Sequence, residues 1–252
     1  MSQLHHLSRQ DIKALTEARL TFGPRGRAMD TSTSLQFSLD HARAREAVLS
    51  ELDVPRIQKA LKAAGLDSQT VTSAAGTRDI FIRRPDLGRL LPEATAETLH
   101  NESPLDVALL LADGLSAIAA ALNGPAFVTA LSKRLLARGL TIGKIVCARQ
   151  ARVAIGDRVA QALGAETVVV ALGERPGLSA ADSLGVYITH RPKATTQDSA
   201  RNCISNIREA GTNVVDAAEQ AEQLIVAMRE TGLSGVELSM ARAENTLTSQ
   251  SD

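Results

Sequence analysis

With 252 residues the chain has room for one large domain, or for an α/β domain with an added module, and its 28 basic side chains balance 28 acidic ones. No net charge draws it to nucleic acid or anionic lipid, and an aromatic content of 2% with no Trp excludes the stacking platforms of single-strand binders. Cys147 and Cys203 are too few for a disulfide scaffold, no leader pattern opens the sequence, and the longest apolar runs fall short of the roughly twenty residues that span a bilayer. A cytoplasmic protein with no nucleic-acid and no membrane partner is expected.

Ser8 is placed to cap a short helix running to Leu20. Thr21 to Ser34 then breaks the periodicity with Gly23, Pro24 and Gly26 around Arg25 and Arg27, a basic loop that reads first as a linker. From Ser34 the apolar residues recur at helical spacing, with His41 as a surface or packing residue, and Val54 to Ala64 forms a further helix stopped by Gly65. Thr77 to Arg83, with Ile80, Phe81 and Ile82 together, predicts a short strand.

Beyond residue 100 the character changes. Asp106 to Ala112 is an apolar strand followed by the turn Asp113-Gly114-Leu115-Ser116 and an alanine-rich helix to about Leu122; Pro125 to Arg138 is a second helix. Ile142 to Cys147, Thr167 to Leu172 and Gly185 to His190 are strands, Ala154 to Leu163 and Val214 to Glu230 are helices, and the polar residues after Met240 are expected to fray. Strands apolar on both sides, alternating with helices, give an α/β class with a largely parallel sheet covered on both faces. The organisation read from this is a mainly helical region at 1–99 with the basic Gly/Pro loop, a Rossmann-like α/β domain at 100–240, and a disordered tail at 241–252.

No phosphate-binding loop, dinucleotide fingerprint, zinc-protease helix or paired C-x-x-C occurs. The densest chemistry lies between Gly173 and Asn206. Glu174 and Arg175 follow an apolar strand, where open α/β sheets bind ligands, and they are either a surface ion pair or an acceptor and a forked donor for a polar ligand. Arg201, Asn202, Ser205 and Asn206 surround Cys203, a thiol read as lying in the loop beyond the Gly185 to His190 strand, with His190 its nearest histidine in sequence; packing is the commoner role for such a cysteine.

These segments resemble one family, the small subunit of ethanolamine ammonia-lyase. The matching stretches are Ala18-Arg19-Leu20 with the Gly23 to Arg27 loop, Phe37 to Arg45, Ala112 to Ser116, Gly173 to Leu178, Asp182 to Tyr187 and Arg201 to Ile207, in family order from about Ala18 to about Leu238. The resemblance implies an adenosylcobalamin-dependent lyase that converts ethanolamine to acetaldehyde and ammonia by radical chemistry. In that family the large subunit carries the catalytic residues and cobalamin lies between the two chains, in a heterododecamer of six large and six small chains. This chain would then hold no catalytic residue and no metal ligand, and its cobalamin contacts would fall on Val153, Glu174 and Cys203. No Asp-x-His-x-x-Gly sequence occurs, in keeping with a family whose cobalt keeps the cofactor's own benzimidazole. The head before Ala18 is shorter than the extension some members carry for solubility or packaging, which argues against packaging; the resemblance by itself implies the cytoplasm or a bacterial microcompartment.

Two rival readings differ in kind. One is a stand-alone α/β protein that binds cobalamin or a nucleotide without lyase activity, which would need no large subunit to bind tightly. The other is a small-molecule hydrolase using Cys203, whose activity would vanish on replacement by alanine.

Overall fold

A computed structural model of the chain describes residues 8–16, 20, 29–99, 101 and 103–249. The basic Gly23 to Arg27 loop and the Ala18-Arg19 pair lie outside the described residues. Helix α1, Arg9–Ala14, starts where expected, because Ser8 and Asp11 exchange side-chain and backbone hydrogen bonds of 2.7 and 3.1 Å in a reciprocal cap. Helix α2, Thr31–Leu49, is capped by Asp30, and α3, Val54–Ala63, by Asp53.

A six-stranded sheet organises the rest, in the spatial order β1-β3-β2-β4-β5-β6. The strands are β1, Ser68–Thr72; β2, Leu105–Ala112; β3, Ile145–Arg149; β4, Ala165–Gly173; β5, Leu184–His190; and β6, Asn202–Ile207. All run the same way except β5, which pairs antiparallel with β4 and β6. The remaining helices are α4, Arg78–Arg83; α5, Glu93–Glu97; α6, Ala117–Ala137; α7, Ile155–Leu163; α8, Val214–Thr231; and α9, Gly235–Ser249.

Alternation along the strands separates two cores. Val107, Leu109 and Leu111 of β2 pack with α3, α6 and α8, while Ala108, Leu110 and Ala112 of the same strand pack with Ile155 and Val159 of α7. Both faces are apolar because helices cover both, so the α/β class and the mainly parallel sheet are as the sequence predicts. Among the described residues no helix is long and apolar enough to cross a membrane.

Several local expectations are corrected. Thr77 to Arg83 is not a strand but contains α4, in which Arg78 and Phe81 are buried three residues apart, one helical turn, while Ile80 is exposed. The first strand lies upstream instead, in the polar stretch Ser68–Thr72, where only Val71 is buried at the sheet edge. The two helices predicted on either side of Pro125 are one, α6. A Cβ at Gly124 would come within 2.2 Å of Leu111 Cδ1, so the helix lies tight against β2, and that packing outweighs the roughly 3 kcal/mol that an interior proline costs. The third strand begins at Ile145, with Ile142 making only an isolated bridge to Val107. Helix α9 continues past Met240, into the stretch expected to fray.

At the far edge of the sheet from the C-terminal ends of β2 and β4, Asp106, Glu166 and Arg229 form ion pairs of 2.6 and 2.7 Å beside the buried ring of His190. His190 Nδ1 lies 3.0 Å from Thr167 Oγ1 and its Nε2 is 3.9 Å from Glu166. Burial pulls the imidazole pKa down; Glu166 opposes this, whereas Arg191 and Arg229 add to it. A histidine with a depressed folded-state pKa favours the unfolded chain once protonated. Stability should therefore be complete above the ordinary histidine value of about 6.5 and fall as pH drops below it, by up to about 1.4 kcal/mol per pH unit for this one proton. Urea unfolding of the wild type and His190→Gln at pH 7.5 and 5.5 checks this: the variant should lose the histidine share of the slope.

Candidate functional site

The loops that follow β2, β3 and β4 converge on one edge of the sheet, and tight backbone contacts hold them. Gly114, at φ 54°, lets the turn after β2 cross the end of β4, and Leu115 N–H donates to the Gly173 carbonyl at 2.9 Å. Asp113 is fully buried and accepts from the backbone N–H groups of Gln150 at 2.6 Å and Ala151 at 2.9 Å. Gln150 sits at φ 53°, a strained turn that aims both amides at that carboxylate. Arg78 approaches Asp113 at 3.4 Å and donates to Gly114 O at 2.9 Å, tying α4 to the same junction. Burial pushes the Asp113 carboxyl up, against the pull of those amides and of Arg78. Ser116 caps α6 through the Ala119 N–H and donates to Ala181 O, so the Asp-Gly-Leu-Ser turn is a junction between loops whose serine hydroxyl is already engaged.

Above this junction opens a cavity of about 1090 Å³, lined by Leu115, Arg152, Val153, Glu174, Tyr187 and Cys203, with Arg89, Arg175, Asp198 and Arg201 around them. The predicted contacts Val153, Glu174 and Cys203 are thus brought together. Val153 stands in the turn before α7, and Glu174 directly follows β4. Cys203 lies on strand β6, opposite Tyr187 of β5, and not in a loop beyond the strand as the sequence reading placed it.

Four polar residues of the two motifs take separate partners. Glu174 does not pair with Arg175: its Oε2 accepts from the Ser183 hydroxyl at 2.5 Å and the Asn206 N–H at 3.2 Å. Its Oε1 has no hydrogen-bond partner among the described residues. Asn206 reaches Glu174 because it adopts φ 58°, and Asn202 is spent on α9, accepting the Gly235 N–H at 2.5 Å. Arg201 forks onto Asp157 of α7 with two bonds of 2.7 Å and also donates to Thr189 Oγ1 at 3.1 Å.

The thiol is not set up as a nucleophile. Desolvation raises the Cys203 pKa; hydrogen bonding from the Tyr187 hydroxyl lowers it, and the charge of Glu174 raises it again. Burial, followed by Cys203, in turn pushes Tyr187 up to about 12. His190 falls on the opposite sheet face from Tyr187 and its partner Cys203, by the two-residue period of β5. A cysteine–histidine dyad is therefore not formed.

Sequence reasoning missed Arg89, Arg152, Leu115 and Asp198 as wall residues. Arg89 and Asp198 lie far apart in sequence and meet as a 3.4 Å ion pair, and no local pattern announces such a contact. Arg152 had a faint signal as the neighbour of Val153.

Comparison with known proteins follows the same line. The family model described as ethanolamine ammonia-lyase light chain matches residues 8–239. The ethanolamine ammonia-lyase small subunit of Bradyrhizobium diazoefficiens is 42% identical over 239 residues, covering 92% of this chain and 92% of its own. The small subunit of the same name from Pseudomonas syringae pathovar tomato is 39% identical over 244 residues, 95% of this chain and 85% of its own, and that of Azotobacter vinelandii is 41% identical over 237 residues, 91% and 87% respectively.

Proposed function

This chain belongs to the ethanolamine ammonia-lyase light chain family, and on that premise we propose that it is the small subunit of an adenosylcobalamin-dependent enzyme that turns ethanolamine into acetaldehyde and ammonia. The observation that carries this reading is the meeting of Val153, Glu174 and Cys203, from three separate elements, in the wall of one cavity at the sheet edge where α/β folds receive ligands.

The wall suits a corrin. A corrin periphery carries amide groups, and Glu174 Oε1 is an open acceptor held in place by the bonds its other oxygen makes. Val153 and Leu115 offer apolar contact, and the half-buried Tyr187 lies beside the exposed Cys203. Bound there, adenosylcobalamin would supply the radical chemistry. The residues of this chain bind and orient the cofactor, and the large subunit carries the catalytic groups. Arg89, Arg175, Asp198 and Cys203 are exposed at the rim, which leaves an outer side for another chain to close.

The large subunit would meet the Gly23 to Arg27 segment and the helices after it. Helix α2 buries only Asp40 and Ala47 and turns Leu35, Leu39 and Leu49 to solvent, at 66%, 46% and 54% exposure. Those three fall on its outward face, a stripe that no described residue covers. Removing the residues before Phe37 should lower co-purification with the large subunit while leaving the sheet folded, as read by pull-down and circular dichroism. Assembly as six large and six small chains, in the cytoplasm or in a bacterial microcompartment, belongs to the same reading.

The test is reconstitution with a family large subunit, adenosylcobalamin and ethanolamine, following acetaldehyde. Turnover and tight cofactor binding should need both chains. A folded, assembled pair with no turnover would sink the proposal, and tight cobalamin binding by the small chain alone would favour a stand-alone binding protein. Within the active pair, Glu174→Ala should weaken cobalamin binding about tenfold or more, the size of a lost hydrogen bond to a charged acceptor, in an equilibrium titration.

A further inference from the structure

Charge is unevenly settled around the cavity. Arg201 is matched by Asp157 and Arg89 by Asp198, while Asp86 is held by Arg84 at 2.7 Å. Arg152 and Arg175, both in the wall, meet no carboxylate within ion-pair distance among the described residues.

Arg152 is also fixed before any ligand arrives. Its backbone N–H donates to Gly88 O at 2.8 Å, and its guanidinium lies 4.7 Å from the centre of the Phe81 ring, which Arg78 also approaches at 4.9 Å. Its Nε is buried with no hydrogen-bond partner among the described residues. The terminal nitrogens of the same guanidinium are not closed off in this way, and they are the donors that an acceptor in the cavity can meet.

We propose that Arg152 and Arg175 form an oxyanion subsite in this cavity, which takes the phosphodiester of the bound cofactor's nucleotide tail. The inference rests on the cobalamin reading given above. A phosphodiester carries one negative charge and two open oxygens, and guanidinium groups match that geometry with forked donors. Burial lowers the Arg152 pKa, and the nearby charges of Arg78, Arg175 and Arg89 lower it further against Asp113 alone, a crowding of cations that an anion relieves. Glu174 and the arginines then divide the ligand, the carboxylate facing amide donors and the guanidinium groups facing the phosphate.

Cobinamide, which lacks the nucleotide and its phosphodiester, separates this idea from the one it rests on. Affinities for cyanocobalamin and dicyanocobinamide would be measured on the complex with the large subunit for wild type, Arg175→Gln, Arg152→Lys and the double variant Arg152→Gln/Arg175→Gln. Arg175 is exposed, so its replacement leaves the fold intact. Arg175→Gln should weaken cyanocobalamin binding about tenfold and the double variant about a hundredfold, with cobinamide binding held within about twofold. Arg152→Lys should fall between wild type and the double variant, since it keeps the charge without the fork. Unchanged cyanocobalamin affinity in the double variant overturns the inference, and so does an equal loss for cobinamide. A wild-type complex that binds neither ligand overturns the cobalamin reading and this one with it.

Discussion

Asp157→Ala should cost the chain about 3–5 kcal/mol and lower its thermal midpoint by roughly 6–20 °C. Asp157 and Arg201 face each other with two parallel bonds of 2.7 Å, and their side chains are only 6% and 2% exposed. Deleting the carboxylate leaves a guanidinium that water cannot reach. Asp198, the other acid near it, is 67% exposed at 3.4 Å and does not replace it. The pair joins α7 to the residue before β6, so its loss also frees the strand that presents Cys203; under the function proposed above, cobalamin binding should then fall with stability. Because the desolvation cost belongs to the survivor, Asp157→Ala/Arg201→Met should be more stable than Asp157→Ala alone. Urea unfolding measures all three chains; a single-variant loss below about 1 kcal/mol would show that the ion pair does not hold this edge together.

Gly173→Ala is expected to be at least as damaging. An ideal Cβ there would lie 1.9 Å from Ser116 O, 2.6 Å from Ser116 C and 2.7 Å from Asp113 O, all backbone atoms that cannot rotate away. The turn after β2 must then shift, and with it the Asp113 carboxylate that holds Gln150 and Ala151. Both the Leu115 and the Arg152–Val153 walls of the cavity hang on that junction. A loss of more than about 4 kcal/mol follows, or failure to accumulate folded protein. Gly177→Ala is the matched control, since its Cβ would meet nothing closer than Ala180 Cβ at 3.8 Å, and it should stay within about 0.5 kcal/mol of wild type. Equal melting temperatures for the two variants would refute the argument.

Much of this architecture is visible in local chemistry. Runs such as 107–112 and 168–172 have no polar face to offer water, so they need helices on both sides. Caps at Ser8, Ser116 and Asn213 mark helix starts through side chains a few residues from the amides they serve. The motif order along the chain likewise carried the family resemblance before any contact was known. Glu174 stood out as a ligand-facing residue because it directly follows an apolar strand.

Long-range packing decided the rest. The Ile80-Phe81-Ile82 run has strand composition, yet α4 forms because Arg78 reaches Val48 O and Gly114 O while Phe81 enters the core, contacts with residues some thirty positions away. Pro125 stays inside α6 because β2 holds that helix closely. Cys203 reads as a loop thiol in the sequence and becomes a strand residue under Tyr187, which only the pairing of β5 with β6 could assign. The same holds for charge: composition shows as many acids as bases, but which arginines keep no counter-ion depends on where distant carboxylates arrive. Periodicity and capping are set by neighbours along the chain, so sequence alone determined the elements and the class. Register, burial and ion pairing join residues far apart in the chain, so only the folded structure decided which side chains share the cavity and which of them are left free to bind.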